Sequence, residues 1–216
     1  MIPLVHDFGG EVVLVFGGGA VGARKARRFA EEARVVVISP AFADAAFGDS
    51  EFVRAAPTPA DVPAWLDAAD PALVVAATDD DALNAAIERH AHERGVLVNR
   101  ADRSGARDAG SVVVPATLRD GPVGVAVTTS GTSPAVSRHL RDELAPVVEG
   151  AGLVASVVGD LRDELRDRSM SAAARHEAIG AVADDPAVWE AAREDGTRAA
   201  VREAAARVLS DVLESE

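Results

Sequence analysis

Cysteine is absent from the 216 residues, which excludes disulfides, thiolate metal sites and a cysteine nucleophile together. Lysine is almost absent too. Lys25 is the only one among 22 basic residues, which stand against 35 Asp and Glu for a net charge of −13. Nucleic acid is a poor partner for such a surface, because neutralising phosphates needs clustered positive charge. No run reaches the roughly 18 consecutive apolar residues of a membrane span. The opening MIPLVHDFGG also lacks the basic region of a secretory signal. The chain is therefore expected to stay in the cytoplasm, with no membrane partner. A carboxylate-rich, lysine-poor surface fits a halophilic source, where salt screens self-repulsion; a GC-rich genome, favouring Ala and Arg over Lys, gives the same bias.

What is present is globular: 48% hydrophobic and 26% charged residues, with length for one fair-sized domain and a smaller appendage, at about 100–200 residues per domain. VVLVF (Val12 to Phe16) is a continuous apolar strand. A helix follows it with Ala26, Phe29, Ala30 and Ala33 on one face. VVVI (Val35 to Ile38) reads as a second buried strand and LVVAA (Leu73 to Ala77) as a third. A helix over about Asp81 to Arg94 carries Leu83, Ala86, Ile87 and Ala91 on one face, and VLV (Val96 to Val98) is a further strand. Two-sided apolar strands alternating with helices imply an α/β fold, a doubly wound parallel sheet. After about Asn99 the rhythm changes. SVVVPATL and VGVAVTT read as strands joined by a turn at RDGP, with a helix from Pro134 to about Leu144. From Gly150 the chain is Ala-rich and helical, with breaks expected near Gly180, at Ala183 to Pro186 and near Gly196. Its stripe of Val201, Ala205, Val208 and Val212 implies ordinary packing or packing against a second subunit.

The leading chemical signal is the GxGxxG of Gly17, Gly18, Gly19, Ala20, Val21 and Gly22, set between a strand and a helix. Gly17 permits the tight turn, Gly19 lets backbone amides approach a pyrophosphate, and Gly22 lets helix close on strand. The acidic residue expected about 20 residues on, which would hold a ribose, is replaced by Ser39, Pro40 and Ala41. The Ser39 hydroxyl or backbone groups would have to take over. A second signal is TTSGTSPAVSRHLRDEL, where Ser133 and Pro134 start a helix after the hydroxyl-bearing stretch Thr128, Thr129, Ser130, Gly131 and Thr132. Hydroxyls and amides at a positive helix end suit an anion, and Arg138 and Arg141 on the same helix suit carboxylates. Taken alone, the segment is read first as a capped helix with solvated arginines.

In this order the segments GGGAVGARKARRF, RVVVISP, VVAATDDDALN, VNRAD and VTTSGTSPAVSRHLRDEL resemble the precorrin-2 dehydrogenase family, the N-terminal module of siroheme synthases. The resemblance implies three parts: a Rossmann domain over 1–115, a small α+β dimerisation segment over 116–149 and a helical C-terminal domain over 150–216. It also implies an intertwined homodimer that oxidises precorrin-2 to sirohydrochlorin with NAD, and in some members inserts iron. By position, Asp102 matches the family's candidate catalytic aspartate, and Thr129 lies beside the substrate pocket. Ala20, Val21, Pro40 and Ala41 match dinucleotide contacts, with Thr78 and Asp79 nearby. The stretch DRSGARDAG departs from the family pattern, and Ser130 stands where a glycine is usual. Arg103 and Arg107 there are expected to repel Fe²⁺ while favouring an anionic tetrapyrrole, so a dehydrogenase without chelatase activity is expected. Ending at Glu216, the chain is also expected to carry no fused methyltransferase module.

Other residues take plainer readings. His90 is expected to pack at a helix edge, His92 to point elsewhere, and Asp79, Asp80 and Asp81 to cap a helix rather than hold metal; no metal site is read. His139, beside the hydroxyl stretch, is the histidine to test. A non-catalytic dinucleotide sensor is the alternative function. Such domains usually keep the acidic residue after the second strand and lack TSGTSP, and both features here weigh against it.

Overall fold

The computed structural model describes residues 3–102, 111–167 and 170–214. They divide into two compact units: Met1–Val114 with Ser130–Thr132, and Pro115–Thr129 with Ser133–Glu216.

In the first unit, β1 (Val12–Phe16) leads through a glycine turn into α1 (Ala20–Phe29) and β2 (Arg34–Ser39). Then come β3 (Ser50–Arg54), α2 (Val62–Ala69), β4 (Leu73–Ala76), α3 (Asp81–Glu93) and β5 (Leu97–Arg100). The five strands form one parallel sheet in the order β3-β2-β1-β4-β5. Alternation sends its side chains to two cores. Val13, Val15, Val35, Val37, Leu73 and Val75 meet Ala23 and Ala26 of α1, and Leu14, Phe16, Val36, Ile38, Val74 and Ala76 meet Leu66 of α2 and Ile87 of α3. Burial on both faces is why these strands read as unbroken apolar runs.

Periodicity misses β3 and α2, so the strand counted third is the fourth. SEFVR is a half-polar sheet edge, exposed at Glu51, Phe52 and Arg54, and α2 is only 8 residues long with a proline in its first turn. The last strand is displaced to Leu97–Arg100 and includes Asn99 and Arg100, each 2% exposed. Two polar residues end the apolar signal although the sheet continues.

The second unit opens with the antiparallel hairpin β6 (Ala116–Asp120) and β7 (Val123–Val127), turning at Gly121 with φ 53°. Helices α4 (Pro134–Val148), α5 (Ala151–Arg166), α6 (Ala172–Asp184), α7 (Pro186–Glu194) and α8 (Arg198–Glu214) follow. Helix α4 continues past the expected end at Leu144 and contains Pro146. No break occurs at Gly180, which lies inside α6; the chain breaks instead ahead of Ser171, whose hydroxyl accepts the Ala174 N–H at 3.1 Å. At the next break Asp185 accepts the Ala187 N–H at 2.8 Å, with Pro186 opening α7. Val201 and Ala205 pack inside this unit with Val157, Leu161 and Val182, and Val208 and Val212 border the same core.

Candidate active site

The glycine turn lies where strand order reverses, at the carboxyl ends of β1 and β4, the position at which open α/β sheets receive ligands. Gly17 adopts φ +118°, and a Cβ on it would stand 2.3 Å from the Ala77 carbonyl oxygen. A Cβ on Gly18 would meet the Ala41 carbonyl at 2.2 Å, and one on Gly22 the Gly17 carbonyl at 1.9 Å. These three are closed against their own framework. Gly19 differs: it is exposed, it is the N-cap of α1 without a side-chain cap, and a Cβ there meets nothing within 4 Å. Exposed Ala20 and Val21 follow it, and the first turn of α1 holds no acidic residue. An open backbone face at a positive helix end fits a pyrophosphate. Gly19→Val is therefore expected to keep the melting temperature while abolishing NAD binding in calorimetry. Gly22→Ala should instead cost stability, by about 1–3 kcal/mol or more.

The neighbouring strand ends complete this edge. The Ser39 hydroxyl donates to the Ala41 carbonyl at 2.7 Å, so its proton serves the turn through exposed Pro40 and Ala41. After β4, Thr78 is locked by the fully buried Asn84. The Thr78 hydroxyl donates to Asn84 Oδ1 at 2.7 Å, and Asn84 Nδ2 donates to the Thr78 carbonyl at 2.8 Å. Asp79 is exposed beside it. Asp80 caps α3, accepting the N–H groups of Ala82 and Leu83 at 2.9 and 3.0 Å.

Asp102 follows β5 at the same carboxyl edge, continuing from Ala101, whose N–H donates to Ala76. Its two oxygens accept from Arg100: Nε to Oδ1 at 2.9 Å and Nη2 to Oδ2 at 2.6 Å. The Arg100 side chain is 1% exposed and that of Asp102 19%. From the third nitrogen, Nη1 donates to Glu88 of α3 at 2.7 Å, and the Ser111 hydroxyl reaches the other Glu88 oxygen at 3.4 Å. A planar guanidinium matches a carboxylate in this two-toothed way, which fixes direction as well as charge. The Asp102 hydrogen bonds foremost, with help from Glu88 and against the opposing effect of burial, hold the Arg100 pKa above its ordinary value. The cation is thus permanent.

Both flanks of the segment after Asp102 are tied to β5. Asn99 Nδ2 donates to the Val112 carbonyl at 2.6 Å, and Val112 N–H to the Val98 carbonyl at 2.7 Å. Arg103 and Arg107, expected near an iron path, lie outside the described residues.

In the second unit, the Thr129 hydroxyl takes the Ser133 N–H at 3.0 Å and lies 3.0 Å from the Ser133 carbonyl and 3.2 Å from the Ser137 hydroxyl. The Ser133 hydroxyl caps α4 at Val136 N–H, 3.4 Å away. Thr128 is exposed, as are Thr132, Arg138 and His139, whereas Arg141 is half-buried and gives Nε and Nη2 to Asp142 at 2.9 and 2.6 Å. Ser130 has φ 53° and Gly131 φ 86°, so the position where a glycine is usual is indeed left-handed here. His90 is paired with Glu93 at 2.8 Å and lies 3.0 Å from Arg89. Among the described residues no group of three or more His, Asp or Glu could hold a metal.

Sequence reasoning passed over Asn84, Glu88 and Arg100. The signal was available: Asn84 and Glu88 stand four apart within the apolar face of α3, and Arg100 interrupts a strand. Polar residues at core positions need partners, so they mark a network.

The chain matches the family model described as "Putative NAD(P)-binding" over residues 4–116. It is 33% identical over 214 residues to the precorrin-2 dehydrogenase of Methanosarcina barkeri, covering 93% of this chain and 91% of that one. It is also 33% identical over 173 residues to the siroheme synthase of Pseudomonas paraeruginosa, where the match covers 77% of this chain and 35% of the longer protein. Its fold resembles the solved structure of SirC, a precorrin-2 dehydrogenase, with TM-score 0.69 at 20% identity, covering 96% of this chain and 98% of the other. With 33% identity over nearly the full length of one such enzyme and a similar fold in another, the chain belongs to the precorrin-2 dehydrogenase family.

Proposed function

We propose that the protein oxidises precorrin-2 to sirohydrochlorin with NAD as the acceptor. The observation that carries this reading is one sheet edge holding both an open glycine turn at Gly19 and an oriented carboxylate at Asp102. A sensor would need the first alone. Bound NAD supplies an electrophilic ring carbon that takes up hydride. In the balanced reaction the substrate loses one hydride and one proton. The residues provide the rest: Gly19, Ala20 and Val21 receive the pyrophosphate, Ser39 to Ala41 and Thr78 with Asp79 flank the nucleotide, and Asp102 accepts the proton. Thr128 to Ser133, Arg138 and Arg141 are assigned to the acidic groups of the tetrapyrrole. Purified protein mixed with NAD and precorrin-2 is expected to give the absorbance change of oxidation together with reduced nicotinamide; no NAD-dependent change would overturn the reading.

We further assign a homodimer, cytoplasmic and adapted to salt. Helix α4 buries only Ser137 and Val148, leaving Val136 47%, Leu140 43% and Val147 60% exposed along one side. A second copy laid on this face would remove that apolar surface from water. Leu140→Glu is expected to convert the dimer to monomer in sedimentation, whereas a wild-type monomer would refute the assignment. No single helix among the described residues is long and apolar enough to cross a membrane.

A further inference from the structure

In a dinucleotide-binding half of this kind, the second strand ordinarily ends in a carboxylate that holds the ribose 2′-hydroxyl and repels a phosphate placed there. Here β2 ends in Ser39, whose hydroxyl proton is committed to the Ala41 carbonyl. Directly beside Ser39 in the register of β2 and β3 stands Arg54. Its Nη1 donates to the Pro40 carbonyl at 3.0 Å, and its guanidinium carbon lies 5.5 Å from the centre of the Phe42 ring. A cation thus occupies the edge where an anion is customary, steered by a main-chain oxygen and an aromatic face. The acidic residue of the same strand does not neutralise it: Glu51, near the opposite end, is gripped by Arg34 at 2.7 and 2.9 Å. Arg54 also borders an open, shallow cleft of about 370 Å³ lined by Phe42, Ala43, Ala45, Phe47 and Phe52. Aromatic walls with a guanidinium at the rim suit a flat base attached to a phosphorylated sugar.

We infer that Arg54 determines cofactor specificity, making the site accept the 2′-phosphorylated dinucleotide, NADP, at least as well as NAD. The inference rests on the dinucleotide site at Gly17 to Gly22. A guanidinium has five N–H donors in a planar fork that matches phosphate oxygens, and among the described residues Arg54 spends one of them on Pro40. On a chain of net charge −13 this local cation matters more, since the general field repels a more highly charged ligand.

The test is calorimetric titration of the purified chain with NAD and, separately, with NADP, without tetrapyrrole, so that it is independent of turnover. Wild-type protein is expected to bind NADP within about threefold of NAD or tighter. Arg54→Gln should lower the NADP-to-NAD affinity ratio by about 10- to 100-fold, the worth of a charge-assisted hydrogen bond, and Arg54→Glu should lower it further. Arg54 is an exposed residue on the sheet edge, so both variants should fold, which their melting curves verify. Wild-type protein binding NADP more than about 100-fold more weakly than NAD would overturn the inference. So would an unchanged ratio in Arg54→Gln. Binding of neither nucleotide would overturn the dinucleotide site itself, and this inference with it.

Discussion

Asp102→Asn is expected to lower turnover by about 10²- to 10⁴-fold, the range for loss of a positioned general base, while NAD affinity stays close to that of the wild type. The carboxylate is held by two hydrogen bonds from Arg100 at 2.6 and 2.9 Å, so it enters the reaction with its orientation fixed. That pairing restricts rotation of the carboxylate. What it gains is a fixed position, which positioning arguments weigh heavily in catalysis. Asparagine keeps the shape and one acceptor oxygen, but its amide turns two donor hydrogens toward the Arg100 fork and cannot take a proton at neutral pH. The glycine turn of β1 and α1 is untouched by this change. Stopped-flow measurement of nicotinamide reduction, with calorimetry of NAD binding, separates the two effects. Near-normal turnover in the variant would move the proton acceptor elsewhere, with His139 the next residue to test.

Much of this edge was readable because local chemistry and tertiary demand agreed there. The VVLVF strand, the glycine turn and the α1 face were all dictated by short-range rules: apolar runs for a two-sided sheet, no Cβ where Gly17 and Gly22 face carbonyls, and small residues where α1 closes down. Ser133 and Asp80 behaved as caps for the same reason. What stayed hidden depended on distant partners. SEFVR becomes a strand only because β2 offers it a parallel neighbour. Asn99 and Arg100 become strand residues because Val112 and Glu88 wait across the fold to satisfy them. Gly180 was expected to break a helix, yet it is carried within α6 between buried Ala178 and Val182; packing there outweighs the roughly 1 kcal/mol preference of glycine against helix. Arg54 escaped notice since its meaning lies in register, beside Ser39, and not in spacing along the chain.

Arg100→Met should cost stability heavily, about 3–5 kcal/mol near neutral pH, the usual penalty for removing one partner of a buried ion pair. The wild-type guanidinium is 1% exposed and faces two carboxylates, Asp102 and Glu88, whose side chains are 19% and 11% exposed. Methionine fills the space of the stem but withdraws the positive charge both acids meet at 2.6–2.9 Å. The two acids then lose that cation, and desolvation and mutual repulsion weigh on their charged forms. The sign of the pH dependence follows. Loss of the cation penalises carboxylates and not neutral carboxylic acids, so the penalty is smaller in acid and grows as pH rises through the ordinary carboxylate range of about 4. The wild-type pair has no such dependence from its cation, because the Arg100 pKa is held above an already high value. Melting temperatures of the two proteins should therefore diverge from pH 4 to pH 8. Adding Glu88→Gln to Arg100→Met removes one of the two charges and should recover part of the loss, a non-additivity that a double-mutant cycle reads directly. A penalty of under about 1 kcal/mol at pH 8, or strict additivity, would mean that the three side chains are no more than an exposed ion pair and that Asp102 is positioned by something other than Arg100.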